Sequence, residues 1–124
     1  MGSRLLWIDG LGAAAAGLGV LALCGWLSEL HRLPEGLIVF LGVVNLAYAC
    51  YSLPLAMASR RSMLRIQILV VANAAWALVC FGLAWAHGGA ASQWGLAHLV
   101  GEGLYVGALA WLEWRSRSLL AAPE

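Results

Sequence analysis

A bundle of four transmembrane helices is the fold class that this sequence predicts, and three observations predict it. Apolar residues make up 63% of the 124 residues and charged residues only 10%, against about 45–50% and about 25% in soluble domains. The apolar residues fall into four stretches of about twenty, the length at which a helix crosses a bilayer core of roughly 30 Å. The arginines segregate: Arg4, Arg60, Arg61, Arg65, Arg115 and Arg117 lie at one side of such a bundle and Arg32 alone at the other. A soluble fold of this length could not hide so much apolar surface, so lipid is the expected solvent. The reading is an all-α integral membrane protein, one domain over 1–124, with both termini in the cytoplasm of a bacterial inner membrane.

The first helix spans about 6–28. Arg4 ahead of an apolar run resembles a signal peptide, but the run is too long for one and contains Asp9, so it reads as a membrane helix. Its middle is nearly all Gly and Ala, and Gly12, Ala16 and Gly19 share a face that lets a neighbouring backbone approach. Asp9, roughly 12 Å from the midplane by helical rise, is expected at the interface. A polar turn over 29–35 ends at Pro34, which suits the start of the second helix, 36–57. That helix carries Asn45, Tyr48 and Ser52 on one face and Pro54 near its end. The third spans 64–86, with Asn73, Cys80 and His87 along one face and Trp76 beside Asn73. The fourth spans 93–114, and Arg115, Arg117 and a short frayed tail follow it.

Links this short make consecutive helices antiparallel neighbours, an up-down-up-down bundle. Trp7, Trp111 and Trp114 mark the inner interface and Trp26, Trp85 and Trp94 the outer one. Trp76 alone falls mid-membrane, where an indole N–H needs a partner. A weak parallel repeat relates 5–57 to 64–114, aligning Cys24 with Cys80 and His31 with His87. Cys24, Cys50 and Cys80 lack metal or redox spacing and read as small buried hydrophobes.

Glu102 sits at the centre of the fourth helix, where an unpaired carboxylate costs about 2.5–3.5 kcal/mol on insertion scales. His98 lies one turn before it and Tyr105 one turn after. By helical rise, Asn45, Asn73 and Glu102 fall within about 3 Å of one level, with Tyr48 and Tyr105 slightly to the cytoplasmic side and His98 about 6 Å to the outer side. Burial disfavours the charged form of a carboxyl, so Glu102 is expected neutral unless a cation or water reaches it. Glu102, His98, Asn45, Asn73, Tyr48, Tyr105 and Trp76 therefore form the expected ligand or proton site. The aromatic members would favour a small lipophilic or quaternary cation.

Two other readings compete with this one. The polar layer can serve only as glue between helices, at about 0.6–2 kcal/mol per bond, in a scaffold or assembly subunit. His31, His87 and His98, at the outer side, could instead hold a metal or a haem edge, although their spacing matches no ligand motif and no histidine serves the inner side. No cofactor is implied by motif. Gly103 and Gly107 form a GxxxG extended by Ala110, a face suited to close crossings and to a homo-oligomer. The net charge of +1 gives no nucleic-acid signal. Neither a nucleophile–base pair nor a phosphate loop is present to indicate an enzyme. In length and helix count the chain resembles the small four-helix multidrug transporters. Their essential acid lies in the first helix, where this chain has only Asp9 near the start and Glu29 beyond the end, so no residue carries over.

Overall fold

A computed structural model describes residues 2–121, and helix is the only regular structure among them. The order is α1 (Gly2–Ala22), α2 (Cys24–His31), α3 (Glu35–Met57), α4 (Met63–Ala86), α5 (Gln93–Arg115) and α6 (Arg117–Ala121). Four helices are long and apolar enough to cross a membrane: Arg4–Ala22, Glu35–Met57, Met63–Ala86 and Gln93–Arg115. The protein thus has the composition and helix lengths of an integral membrane protein.

Local chemistry explains where these helices begin and end. Pro34 precedes α3 with its ring-fixed φ and no N–H to satisfy. The Ser62 hydroxyl accepts from the Arg65 N–H at the start of α4, and the Ser92 hydroxyl from the Gly95 N–H at the start of α5. The first apolar stretch departs from the expected single helix over 6–28. It is interrupted at Leu23, whose backbone leaves the helical range at φ −112° and ψ 18°, but bonds from Leu23 N to Gly19 O and from Leu27 N to Leu23 O span the interruption. α2 then runs into the expected polar turn as far as His31 and stops where Arg32 turns left-handed at φ 53° before Pro34. The expected frayed tail is also corrected: α6 is helical and Leu120 is fully buried, while 122–124 lie outside the described residues.

The helices pack as two pairs, α1 on α3 and α4 on α5. In the first pair the backbones meet at glycines, since a Cβ on Gly17 would stand 2.9 Å from the Gly42 carbonyl oxygen. The packing stripe of α1 is Leu6, Gly10, Ala13, Gly17 and Val20. The expected face of Gly12, Ala16 and Gly19 is turned aside from it. Gly12 lies beneath the Tyr105 hydroxyl, Ala16 is exposed, and Gly19 has nothing opposite it within 4 Å among the described residues. In the second pair the GxxxG face is occupied within the chain: Gly103 receives the Phe81 ring and Gly107 lies against Ala77, with Ala110 buried beyond them. Cys80 is buried as expected, Cys24 is half-buried, and Cys50 is exposed on the outside of the helices.

Apolar clusters close both ends. Leu6, Leu55, Ala56, Ile66, Leu69 and Leu120 form one, and Val20, Leu33, Ile38, Leu41, Ala84 and Leu99 the other. Arg61, read from sequence only as a topology signal, is a buried clamp at the first. Its guanidinium donates to the carbonyls of Leu55 at 2.7 Å, Ala56 at 3.0 Å and Leu120 at 3.2 Å. These oxygens include two at the C-terminal end of α3, where the helix leaves acceptors unpaired and a cation is favoured. At the opposite end Ser92 joins the pairs, its hydroxyl donating to Leu30 O at 2.7 Å and its N–H to His31 O at 2.9 Å.

Arg61→Ala strips these carbonyls of a charged donor and should cost about 2–4 kcal/mol, read as a lowered thermal midpoint in detergent. Arg60→Ala, at an exposed neighbour, should leave the midpoint unchanged. Gly17→Leu should lower it through the Gly17–Gly42 crossing, whereas Gly19→Leu should not.

Candidate functional site

Two polar clusters occupy the interior, one around Glu102 and one around Asp9 and Glu113. Glu102 projects from α5 and is half-buried. Its Oε2 accepts from Asn45 Nδ2 at 3.1 Å and from Trp76 Nε1 at 2.5 Å, with the Cys80 thiol at 3.8 Å. Asn45 comes from α3, and Trp76 and Cys80 from α4, so one carboxyl oxygen gathers three helices. The mid-helix indole N–H of Trp76 has its partner here. Phe40 packs beside the Trp76 ring at 5.7 Å.

The second oxygen of Glu102 meets His98 Nε2 at 3.1 Å, and His98 Nδ1 meets His31 Nε2 at 3.1 Å. With both rings neutral and Glu102 ionised, one proton assignment satisfies the chain: His31 Nε2–H donates to His98, and His98 Nε2–H donates to Glu102. His31 is placed to do this by the extension of α2 into the expected turn. His87 stands apart, its Nδ1 at 3.0 Å from Leu83 O. The three histidines therefore do not share a centre, and no cluster of three or more His, Cys, Asp or Glu side chains is arranged for a metal among the described residues.

Asn73 does not join the Glu102 group, contrary to the single layer expected from helical rise. Its Nδ2 donates to Asp9 Oδ2 at 3.0 Å and to Glu113 Oε1 at 2.8 Å. Tyr48, expected slightly to the cytoplasmic side of that layer, donates to Asp9 Oδ2 at 2.6 Å. Asp9 is 2% exposed and Glu113 0%. Asp9 and Glu113 are thus buried among the helices, which depth along a helix does not reveal, because direction around the axis decides burial. Asp9 shares the inward stripe of Leu6, Ala13 and Val20, and Glu113 lies eleven residues, three turns, beyond Glu102 on the same face. That three-turn spacing was the available signal, obscured by the flanking Trp111 and Trp114.

Between the clusters lies a cavity of about 370 Å³ bounded by all four long helices. Half of its wall residues are Ala or Val, joined by the aromatic rings of Tyr48, Trp76 and Tyr105 and the polar groups of Asp9, Asn45, Asn73 and Glu102. The volume is in the range of small-molecule pockets, about 300–1,000 Å³. Tyr105 reaches across to α1, where its hydroxyl is 3.5 Å from Ile8 O. His98 and His31 do not line the cavity and connect to it through Glu102.

His31 lies beyond the membrane-spanning segments, and its pKa is lowered from 6.5 by burial and by the nearby His98. An unfolded chain therefore binds a proton at this position at a higher pH than the folded chain does. The folded state should lose stability as pH falls below about 6.5, and recover it as pH rises through that value. Nuclear magnetic resonance titration of the His31 ring should give a midpoint below 6.5. In His98→Gln that midpoint should move upward.

Comparison with protein-family models, with curated proteins and with solved structures finds no match.

Proposed function

We propose that the chain is a small up-down-up-down membrane protein, with both termini cytoplasmic, that binds a small lipophilic cation in this cavity and exchanges it for a proton at Glu102. The observation that carries the reading is the cavity itself, about 370 Å³ in volume, apolar and aromatic in its walls and acidic at Asp9 and Glu102. Glu102, with donors from Asn45, Trp76 and His98, can carry its charge beside the cavity, and that charge can be neutralised by either a proton or a bound cation. The two occupants then exclude each other, which is the elementary requirement for proton-coupled exchange. Tyr48, Trp76 and Tyr105 add faces against which a desolvated cation is attracted.

A scaffold whose polar groups act only as glue would need the same hydrogen bonds. It would have no need of the void, since closing the helices over it would gain packing contacts now absent. The cavity therefore favours the ligand reading. The six arginines at one end support the orientation through the positive-inside rule. The histidine pair extends the site to the end of α2, a route by which a proton can reach Glu102.

The test is equilibrium binding of tetraphenylphosphonium and benzyltrimethylammonium to detergent-purified protein between about pH 5 and about pH 9, where a buried carboxyl can titrate. Affinity should rise with pH as the proton is given up. Glu102→Gln should weaken binding by about tenfold or more, roughly 1.4 kcal/mol, and flatten its pH dependence. Absence of binding by either cation throughout the range would remove the proposal. In proteoliposomes, an imposed proton gradient should drive uptake of the cation that binds, and Glu102→Gln should abolish that uptake.

A further inference from the structure

From the geometry of the second cluster we infer that Asp9 and Glu113 hold one proton between them, forming a proton-binding carboxyl pair separate from Glu102. Its net negative charge faces the cavity through Asp9. Only the role towards a cation rests on the cavity reading; the shared proton does not.

The hydrogen-bond inventory points to the proton. Asp9 Oδ2 already accepts from Tyr48 and Asn73, and Glu113 Oε1 accepts from the same Asn73 nitrogen. Glu113 Oε2 is buried and has no partner among the described residues. The neighbouring acid is Asp9, set beside Glu113 because one Asn73 nitrogen bonds both, at 3.0 Å and 2.8 Å. Two ionised carboxyls would leave that oxygen without a donor beside a second negative charge, in a space with little water. A proton on Oε2 removes both faults at once, because Glu113 then donates to Asp9. Asp9 would thereby gather three donors around one charge, and hydrogen bonds to the charged form of a carboxyl favour that form.

Among the described residues no cation does this work instead. The groups bonded to the pair are Tyr48 from α3 and Asn73 from α4, both uncharged donors, and Tyr105 from α5 lines the cavity with Asp9. Arg4, Arg32, Arg60 and Arg65 are exposed. Arg61 is engaged by three carbonyls, Arg115 lies over the Trp111 ring, and Arg117 lies over the Trp114 ring. Glu102, the remaining acid of the interior, lies in the other cluster, with its own donors. Asp9 and Glu102 both line the cavity, so a cation there has a fixed charge on one wall and an exchanging one on the other.

The pair can be read without any ligand, from the infrared carbonyl stretch that only a protonated carboxyl gives. The measurement uses purified protein at about pH 8, where solvent-exposed carboxyls are ionised, in a Glu102→Gln background that removes the other interior acid. A protonated band should be present and should disappear on adding Glu113→Gln. Gln supplies an N–H donor where the protonated acid supplied O–H, so that variant should also keep its thermal midpoint. Absence of the band in the background protein, or its survival in Glu113→Gln, overturns the inference. Should Glu113→Gln fail to fold, Asp9→Asn decides: a shared proton requires the band to shift, and an unshifted band refutes it. Binding of tetraphenylphosphonium separates the two proposals. Asp9→Asn should weaken it several-fold while leaving the pH dependence set by Glu102 in place. A band that behaves as expected in a protein that binds no cation leaves the pair standing and removes only the cavity reading.

Discussion

The amide of Asn73 lies between two buried carboxyls, and the interior of the protein depends on that placement. In lipid, an acid that turns inward must find its hydrogen-bond donors on neighbouring helices. Asn73 brings α4 to Asp9 on α1 and to Glu113 on α5, while Asn45 and Trp76 bring α3 and α4 to Glu102 on α5. Each acid therefore fixes which helix lies beside it. The same bonds restrict the rotamers of these side chains, so the polar groups that face the cavity are held in place by the fold itself.

Apolar packing has a different distribution. It is tightest within the pairs, where Gly17 meets Gly42 and Gly103 meets the Phe81 ring. Between the pairs, apolar contact concentrates in the two end clusters, and the middle is bridged by polar side chains around open space. Small residues on α1 and α4 contribute to that space by lining it without filling it. Gly12 shows how finely this is set, since the Tyr105 hydroxyl occupies the place its Cβ would take. The void is thus a product of residue choice, sustained by bonds that keep the pairs at a fixed separation.

Much of the helical framework was legible because composition dictates it. Apolar runs bounded by Pro34, Ser62 and Ser92 left little choice of helix limits, and the observed ends of α3, α4 and α5 fall within one residue of those expected. Glu102, His98, Asn45 and Trp76 could be found because each is an oddity at the middle of an apolar run. Asp9 and Glu113 lie near the ends of theirs, where acids are ordinary, and their inward direction depends on how whole helices rotate against one another. Asn73 was recognised as polar and mid-span, but its partners are set by that same rotation. The clamp made by Arg61 was invisible for another reason: five of the arginines share its end of the chain's helices, and nothing local distinguishes the one that turns in to meet Leu120.

The interruption at Leu23 has a mechanical meaning when set beside the double attachment of Ser92. Ser92 ties the last carbonyls of α2 to the start of α5, and His31 is joined to His98 across the same seam. α2 and the first turns of α5 are therefore coupled as one rigid block. If α1 tilts to widen or narrow the cavity, the backbone can bend at Leu23 while the block stays still. The two imidazoles would then keep their contact through the motion, and the hydrogen bonds that lead to Glu102 would remain intact while the chamber beside them changes shape.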